Sequence, residues 1–190
     1  VALNYNGDAH RALREEAGAD LSWSIVRPPA VYGPRDLDFL RLVRWVDRGW
    51  SLRVGMRPQI LSVVHAHDLA RALVDVLQSP AAHRGLYYVA DPLTTSWNEI
   101  TDAMAAVLGR DPRRLVLPSV AAPWVARLAR WIGAEPDALA ADRLGDLRAE
   151  AWTCSPERIA DELGFRTSIP LTDGMRETVE WYRDQRWLAS

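Results

Sequence analysis

A short apolar run followed by a rigid, polar segment is the part of this sequence best suited to contact a ligand. Trp23, Ile25 and Val26 favour a β-strand. Pro28 and Pro29 follow directly, and because proline has no backbone N–H, the strand cannot continue as a member of a hydrogen-bonded ladder. The chain must therefore turn out of the sheet at this point.

The polar side chains of this segment are Arg27, Tyr32 and Arg35. In open α/β sheets, ligands bind beyond the carboxyl ends of the strands, and these three side chains follow such an end. Their guanidinium and phenol groups supply hydrogen-bond donors, and the prolines fix the backbone that carries them. We predict that residues 22–36 form one wall of a ligand site.

Other candidate chemistries are weaker. His65 and His67 alternate with Ala66, so in an extended chain they would point to opposite sides, and no third ligand with suitable spacing is evident; we predict no metal site. Cys154 is the single cysteine, which excludes an intrachain disulfide and a cysteine-based metal site and suits the reducing cytoplasm, our predicted location.

The composition is that of a globular protein with a small-molecule partner. Apolar residues make up 48% of the 190 residues and charged residues 25%. The net charge of −2 gives no reason to expect nucleic-acid or membrane-surface binding, and no apolar run is long enough to span a membrane. All 23 basic residues are arginines, so chemistry that needs a lysine ammonium or Schiff base cannot run on this chain alone.

Strand and helix patterns alternate along the chain, which predicts an α/β fold. The predicted strands cover residues 23–26, 60–64, 86–90 and 115–117. The predicted helices cover residues 10–16, 36–49, 68–77, 96–109, 120–132 and 155–164, with a last helix from about residue 172. Residues 133–147 carry no clear pattern.

Buried faces and caps can also be assigned. Ser96 and Glu99 form a capping box at a helix start. The predicted core-facing positions of the helices are Phe39, Leu40, Val43 and Val46; Leu69, Ala70, Leu73, Val74 and Leu77; Trp97, Ile100, Met104, Val107 and Leu108; Trp124 and Trp131; and Met175, Val179 and Tyr182. Trp181, Tyr182 and Trp187 are predicted to pin the last helix or to form part of a subunit contact, so a homodimer is possible.

Three segments resemble one protein family. The run at residues 25–36, Ile-Val-Arg-Pro-Pro-Ala-Val-Tyr-Gly-Pro-Arg-Asp, is similar to the segment after the sixth strand of extended short-chain dehydrogenases/reductases, the NAD-dependent epimerase/dehydratase family. Residues 62–70, Ser-Val-Val-His-Ala-His-Asp-Leu-Ala, resemble a family strand leading into a helix, and residues 85–91 resemble the next strand. The resemblance covers nearly the whole chain, but only the later half of a family member.

The resemblance implies the C-terminal part of a Rossmann-type, NAD(P)-binding fold together with the smaller α/β substrate-binding region. We expect one incomplete domain, in which residues 1–35 end the dinucleotide-binding fold and residues 36–190 are mainly substrate-binding. None of the 11 glycines forms the Gly-x-Gly-x-x-Gly or Gly-x-x-Gly-x-x-Gly turn that holds a pyrophosphate. We therefore expect a family member without its front half.

The resemblance also assigns site residues. The implied cofactor is NAD or NADP, with Pro28, Pro29, Ala30 and Val31 bordering the nicotinamide carboxamide. Tyr32 and Arg35 are implied on the substrate side. The family's catalytic tyrosine is followed four residues later by a lysine. Tyr5 is the nearest phenol to the corresponding position, but the residue four positions on is Ala9 and the chain has no lysine.

The function implied is the C-terminal part of an NAD(P)-dependent oxidoreductase or epimerase that acts on a small or apolar carbonyl or alcohol and is inactive as this chain alone. Family members that act on nucleotide sugars usually carry an arginine, which pairs with the diphosphate, where this chain has Leu61. Two alternatives stay open: a nucleotide-sugar epimerase/dehydratase, and a non-catalytic binding or regulatory module with the same fold.

Overall fold

The computed structural model describes residues 2–3, 22–55, 57–118 and 151–188. The strands are β1 (Ala2–Leu3), β2 (Ile25–Arg27), β3 (Ala30–Tyr32), β4 (Trp50–Val54), β5 (Ile60–Leu61), β6 (Val63–His65), β7 (Leu86–Tyr88), β8 (Thr95–Ser96), β9 (Arg113–Leu117) and β10 (Ala151–Trp152). The α-helices are α1 (Leu37–Asp47), α2 (Ala66–Gln78), α3 (Trp97–Leu108), α4 (Glu157–Leu163) and α5 (Leu171–Asp184), and a 3₁₀ turn covers Pro80–Ala82.

The chain divides into two compact units. The first unit takes residues Val1–Tyr32, Ser62–Thr94 and Thr153–Ile169. The second takes Gly33–Leu61, Thr95–Trp152 and Pro170–Ser190. Parallel strands and helices in both units confirm the predicted α/β class. The expectation of one incomplete domain with a boundary near residue 35 stays a prediction.

Two groups of parallel strands build the first unit. Strand β2 lies between β1 and β7 in one sheet, and β3 pairs with β6 in another. Because parallel sheets are covered on both faces, their strands are apolar throughout, as the fully buried Ile25 and Val26 show. The core cluster consists of Val26, Val64, Leu69, Ala72, Val76, Ala82, Tyr87, Val89, Ile159 and Phe165.

The phase of α2 corrects a prediction. The expected buried stripe included Ala70, Val74 and Leu77, all of which are exposed, the last two by 48% and 67%. The helix instead buries Leu69, Ala72 and Val76, together with Asp68. The helix begins with His65 as its N-cap. Its buried face lies one position earlier in the sequence than the face that the apolar pattern predicts, and it includes the acid Asp68 in the first turn.

Helices α1, α3 and α5 pack together in the second unit. Asp36 caps α1 by accepting from the backbone N–H of Asp38 at 2.8 Å. The capping box of Ser96 and Glu99 starts α3 as predicted, and α3 ends at Gly109, whose φ of 66° is the left-handed conformation that favours glycine. The predicted inward faces of α1 and α5 are confirmed, whereas Trp97, Val107 and Leu108 of α3 are only half-buried.

Two small sheets complete the second unit. One has the order β10-β5-β8, and the other pairs β4 with β9 in parallel. The single strand predicted at residues 60–64 is wrong, because Ser62 interrupts it and separates β5 from β6. The Ser62 hydroxyl accepts from the backbone N–H of Cys154 at 3.1 Å, which ties this break between the strands to the segment before α4.

Aromatic side chains hold the end of α5. The Trp187 ring stacks on the Tyr182 ring, with centroids 6.0 Å apart. The Trp181 ring meets the Trp187 ring edge-on, with centroids 4.8 Å apart. The Tyr182 hydroxyl donates to the backbone carbonyl of Asp36 at 2.5 Å. The prediction that these aromatics pin the last helix is confirmed.

Several predictions lie outside the described residues. These are the helices at residues 10–16 and 120–132, with Trp124 and Trp131, the unassigned segment 133–147, and the candidate phenol Tyr5. Over the residues that the structure describes, every helix is too short or too polar to cross a bilayer.

Candidate functional site at the strand ends

The carboxyl ends of β2 and β7 lie side by side in the first unit. Arg27 and Tyr88 are register partners in this parallel pair, and the Arg27 Nη1 lies 3.4 Å from the Tyr88 hydroxyl. The Arg27 Nε is buried and has no hydrogen-bond partner among the described residues. A buried donor without a partner costs free energy, so this strand end holds a cation with spare hydrogen-bonding capacity.

The predicted wall leaves the sheet directly after Arg27. Pro28 is half-buried and Pro29 is buried. Two consecutive residues without an N–H leave a stretch of backbone that offers only carbonyl acceptors. Ala30 and Val31, both half-buried, then enter β3, and Val31 packs against the core of the unit. The wall is therefore anchored on one side by the core.

Tyr32 and His65 end the second parallel pair. They are register partners in β3 and β6, both are fully buried, and their rings meet edge-on with centroids 5.2 Å apart. The His65 Nδ1 accepts from the backbone N–H of His67 at 3.4 Å. This hydrogen bond occupies Nδ1 as an acceptor, so that nitrogen carries no proton.

His65 and His67 lie closer than an extended chain would allow. Their ring centroids are 5.2 Å apart. The reason is that α2 begins at Ala66, so the chain turns into a helix between the two histidines instead of alternating as a strand.

Arg35 belongs to the second unit. Its side chain is exposed and its φ is 74°, which is an uncommon conformation for a residue other than glycine. The structure therefore brings Pro28–Tyr32 together with Arg27, Tyr88 and His65 in the first unit. Tyr88 and the pairing of Tyr32 with His65 were missed by sequence reasoning, because each depends on strands that are distant in sequence.

A buried carboxylate fixes the helix that follows His65. Asp68 is fully buried and accepts from the backbone N–H groups of Ser168 and Ile169 at 2.9 and 3.0 Å. It also accepts from the Ser168 hydroxyl at 3.1 Å and pairs with Arg71. These bonds join the start of α2 to a segment one hundred residues later, which holds the β6–α2 junction in place.

Comparisons with known proteins agree with the strand-end architecture. The chain is 32% identical over 193 residues to a ceramide reductase of Caulobacter vibrioides, and the match covers 96% of this chain and 59% of that relative. It is 30% identical over 194 residues to a dTDP-4-dehydro-6-deoxy-D-allose reductase of a Streptomyces species, with 96% of this chain and 49% of the relative covered. The similarity to these two reductases agrees with the predicted resemblance to the extended short-chain dehydrogenase/reductase family. No family model matches the sequence.

Solved structures support the α/β fold of this chain. A UDP-glucose 4-epimerase of Thermotoga maritima, solved with UDP-glucose, superposes with a TM-score of 0.72 at 18% identity, covering 94% of this chain and 52% of the epimerase. A UDP-glucose 4-epimerase of Thermus thermophilus, solved with NAD, gives 0.66 at 19% identity, covering 93% and 50%. The chain spans about half the length of the curated relatives it matches.

Proposed function

We propose that this chain supplies the nicotinamide-bordering wall and the substrate side of an NAD(P)-dependent reductase that acts on an apolar carbonyl or alcohol. The observation that carries the proposal is the rigid Pro28–Val31 segment at the end of β2, with Tyr32 and His65 paired beside it. NAD(P), when bound, supplies the hydride that adds to a carbonyl carbon, or accepts it in the reverse direction.

The described residues fit a nicotinamide at this wall. The carboxamide of the ring donates through its NH₂, and the proline carbonyls are acceptors that no neighbouring N–H of the same stretch can satisfy. The Arg27 Nε is a buried donor without a partner among the described residues, and can serve the carboxamide oxygen. A wall held by fixed φ angles orients a ring at low entropic cost.

Tyr32 and His65 contribute a polar edge inside an otherwise apolar wall. Because both rings are buried, water is excluded around them, and hydrogen bonds made there are stronger than in solvent. We assign them the role of positioning the substrate side of the wall. Arg35, in the second unit, is proposed to contact substrate as well.

The substrate class rests on one relative and one position. One relative is a ceramide reductase, named for a long-chain apolar lipid. Leu61, a half-buried residue of the central strand β5, stands where an arginine is expected in members that act on nucleotide sugars. An apolar side chain there removes the charge that a diphosphate needs.

A nucleotide-sugar enzyme is the second candidate, since another relative is a dTDP-sugar reductase. A non-catalytic binding module is the third, because the chain has no lysine for the family's catalytic pair. DNA upstream of the Val1 codon separates the third candidate from the others. A glycine-rich turn and a Tyr-x-x-x-Lys in frame support an enzyme, and an upstream stop codon with neither motif in any frame supports the module.

Substrate class is tested by steady-state kinetics on the full product of the gene. With NAD(P)H, we expect oxidation in the presence of an apolar long-chain ketone and at least tenfold lower kcat/KM with a dTDP-4-keto sugar. Leu61→Arg is expected to tighten dTDP binding at least tenfold, about 1.4 kcal/mol. Ile60→Arg is the matched control, because Ile60 is the exposed neighbour on the same strand. Faster turnover of the dTDP sugar by the unmodified protein refutes the apolar assignment.

The wall itself is tested with Ala30→Leu, which adds volume beside the proposed nicotinamide position. We expect KM for NAD(P)H to rise at least fivefold with little change in thermal stability. Ala70→Leu, at an exposed position of α2, is the control and should leave KM unchanged. An unchanged KM in Ala30→Leu removes the wall from the cofactor site while leaving the family assignment intact.

A further inference from the structure

Helix α1, in the second unit, has an exposed face on which arginines alternate with large apolar side chains. Leu37 and Trp45 are 56% and 42% exposed. Arg44 and Arg48 are also exposed, and Arg41 is half-buried between them and Leu37. The spacing of three or four residues puts all five on the side of the helix opposite its buried core face. We call these five residues the outer α1 face.

The positive charge of the outer α1 face is only partly compensated. Arg41 pairs with Asp38 on the same helix at 3.4 Å. Arg44 donates from Nη2 and Nε to the backbone carbonyl of Trp187 at 3.0 and 3.3 Å, which fixes the guanidinium but brings no negative charge to it. Among the residues that the structure describes, neither Arg44 nor Arg48 forms an ion pair. Two cations of this face are therefore left for an external anion.

The acids at the two ends of α1 already have partners of their own. Asp36 accepts from the backbone N–H groups that begin the helix, and Asp38 is paired with Arg41. Asp47 pairs with Arg110 at 3.2 Å. Because each carboxylate is engaged in this way, the cations without an ion-pair partner lie together near the end of α1.

Exposed apolar side chains alone do not distinguish this face. Helix α2 exposes Val74 and Leu77, but its single arginine, Arg71, is paired with the buried Asp68, and Asp75 is exposed beside them. The exposed side of α2 therefore has apolar area without a cation in excess. The outer α1 face combines apolar area with such cations, which is the combination that an anionic, partly apolar surface requires.

We propose that the outer α1 face docks on an anionic lipid bilayer, with Trp45 in the headgroup region and Arg44 and Arg48 on lipid phosphates. A guanidinium makes paired, charge-assisted hydrogen bonds to phosphate oxygens, and tryptophan favours the membrane–water interface. The net charge of −2, which gives no reason to expect membrane binding, averages over the whole chain. Attraction to a bilayer is local, because salt screens charges beyond about 10 Å.

Docking on a bilayer gives the apolar substrate of the proposed reductase a source. A long-chain carbonyl compound leaves water for the bilayer because its hydrocarbon surface is removed from water there. A reductase on the bilayer surface therefore meets its substrate at a higher local concentration. This role of the docking rests on the proposed function, whereas the docking itself is measured without substrate or cofactor, so the two can fail independently.

Vesicle flotation with the full product of the gene measures the docking. The anionic vesicles contain equal parts of phosphatidylglycerol and phosphatidylcholine, and the neutral vesicles contain phosphatidylcholine alone. Each arginine close to an anionic surface contributes about fivefold in affinity, so we expect the protein to bind the anionic vesicles at least tenfold more tightly than the neutral ones. Binding should weaken as salt is raised from about 0.05 M to about 0.5 M.

Variants locate the docking on the outer α1 face. Arg48→Glu is expected to weaken binding to anionic vesicles at least tenfold. Arg166→Glu makes the same charge change at an exposed position of the first unit and should change the affinity by less than about twofold. Trp45→Ser is expected to weaken binding at least fivefold, whereas Leu77→Ser, at an exposed position of α2, should not. Circular dichroism confirms that each variant is folded.

Three results overturn the proposal. The first is equal binding of the parent to neutral and anionic vesicles, and the second is equal affinity of the parent and Arg48→Glu for the anionic ones. The third is a dimer, formed without vesicles, that Trp45→Ser dissociates in size-exclusion chromatography, because the face would then be a contact between two copies of the chain. None of these results bears on the reductase proposal, which rests on the wall at residues 28–31.

Discussion

The anchor formed by Asp68 allows the sharpest prediction about the stability of this molecule. The Asp68→Ala substitution removes a fully buried carboxylate that accepts from two backbone N–H groups and one hydroxyl. The N–H groups of Ser168 and Ile169 lose their partner, and the cost of each buried donor left unsatisfied is about 1–3 kcal/mol. The Arg71 pair adds little, because the Arg71 side chain is half exposed.

The sum over the two N–H groups is a loss of about 2–6 kcal/mol in the free energy of unfolding. For a chain of this size, each 1 kcal/mol lowers Tm by about 2–4 °C, so the expected fall is about 4–24 °C. Denaturant titration followed by circular dichroism measures it. Asp68→Asn keeps the volume but loses the charge, and should fall between the parent and Asp68→Ala.

Asp75→Ala is the matched control, since Asp75 is an exposed acid on the same helix. Its unfolding free energy should stay within about 0.5 kcal/mol of the parent. The reasoning is refuted if Asp68→Ala also stays within about 1 kcal/mol of the parent, because the buried N–H groups would then have found other partners at little cost.

Three further perturbations have expected outcomes. Asp91→Asn should stabilise the fold at pH 7 but not at pH 4. Burial raises the folded pKa of Asp91 to about 6, above its ordinary value of 3.8, so the native state keeps this proton to a higher pH than the unfolded state does. The parent therefore loses stability as pH rises from about 4 to 6, by at most about 3 kcal/mol. Urea titrations of parent and variant at both pH values test this, and an equal difference at both pH values contradicts it. Tyr182→Phe loses the hydroxyl that donates to Asp36 and should cost about 1 kcal/mol in urea unfolding, and no loss contradicts it. Ser96→Ala breaks the capping box of α3 and should cost about 1 kcal/mol, whereas Ser79→Ala, at a cap without a side-chain hydrogen bond, should cost less.

Local signals predicted much of the fold. Asp36, Ser96, Gly109 and Gly164 mark helix ends through hydrogen bonds or backbone conformations that involve only nearby residues, so the sequence alone is sufficient to place them. The apolar faces of α1 and α5 follow the helical period for the same reason.

The misassigned face of α2 shows where local reasoning stops. Val74 and Leu77 fit the apolar pattern but are exposed. Asp68 is buried, because hydrogen bonds from Ser168 and Ile169, one hundred residues away in the sequence, satisfy its carboxylate. A polar residue that is satisfied only by a distant segment carries no signal in its own neighbourhood. The same holds for Ser62, whose partner is Cys154.

The candidate site was predicted in part. The run from Pro28 to Tyr32 was identified from its prolines and from the family resemblance, because those depend on contiguous residues. The pairing of Arg27 with Tyr88 and of Tyr32 with His65 depends on parallel strand registers, and parallel strands are joined by long crossovers that sequence spacing does not determine.

The central claim is that residues 28–31 border a nicotinamide from which hydride reaches a carbonyl. It is tested most directly by deuterium transfer from the reduced, deuterated nicotinamide ring to an apolar ketone, comparing the full gene product with the 190-residue chain. The account predicts that deuterium appears on the carbinol carbon of the alcohol with the full gene product and that the 190-residue chain transfers none. Absence of transfer by the full gene product, or transfer by the 190-residue chain alone, would contradict it.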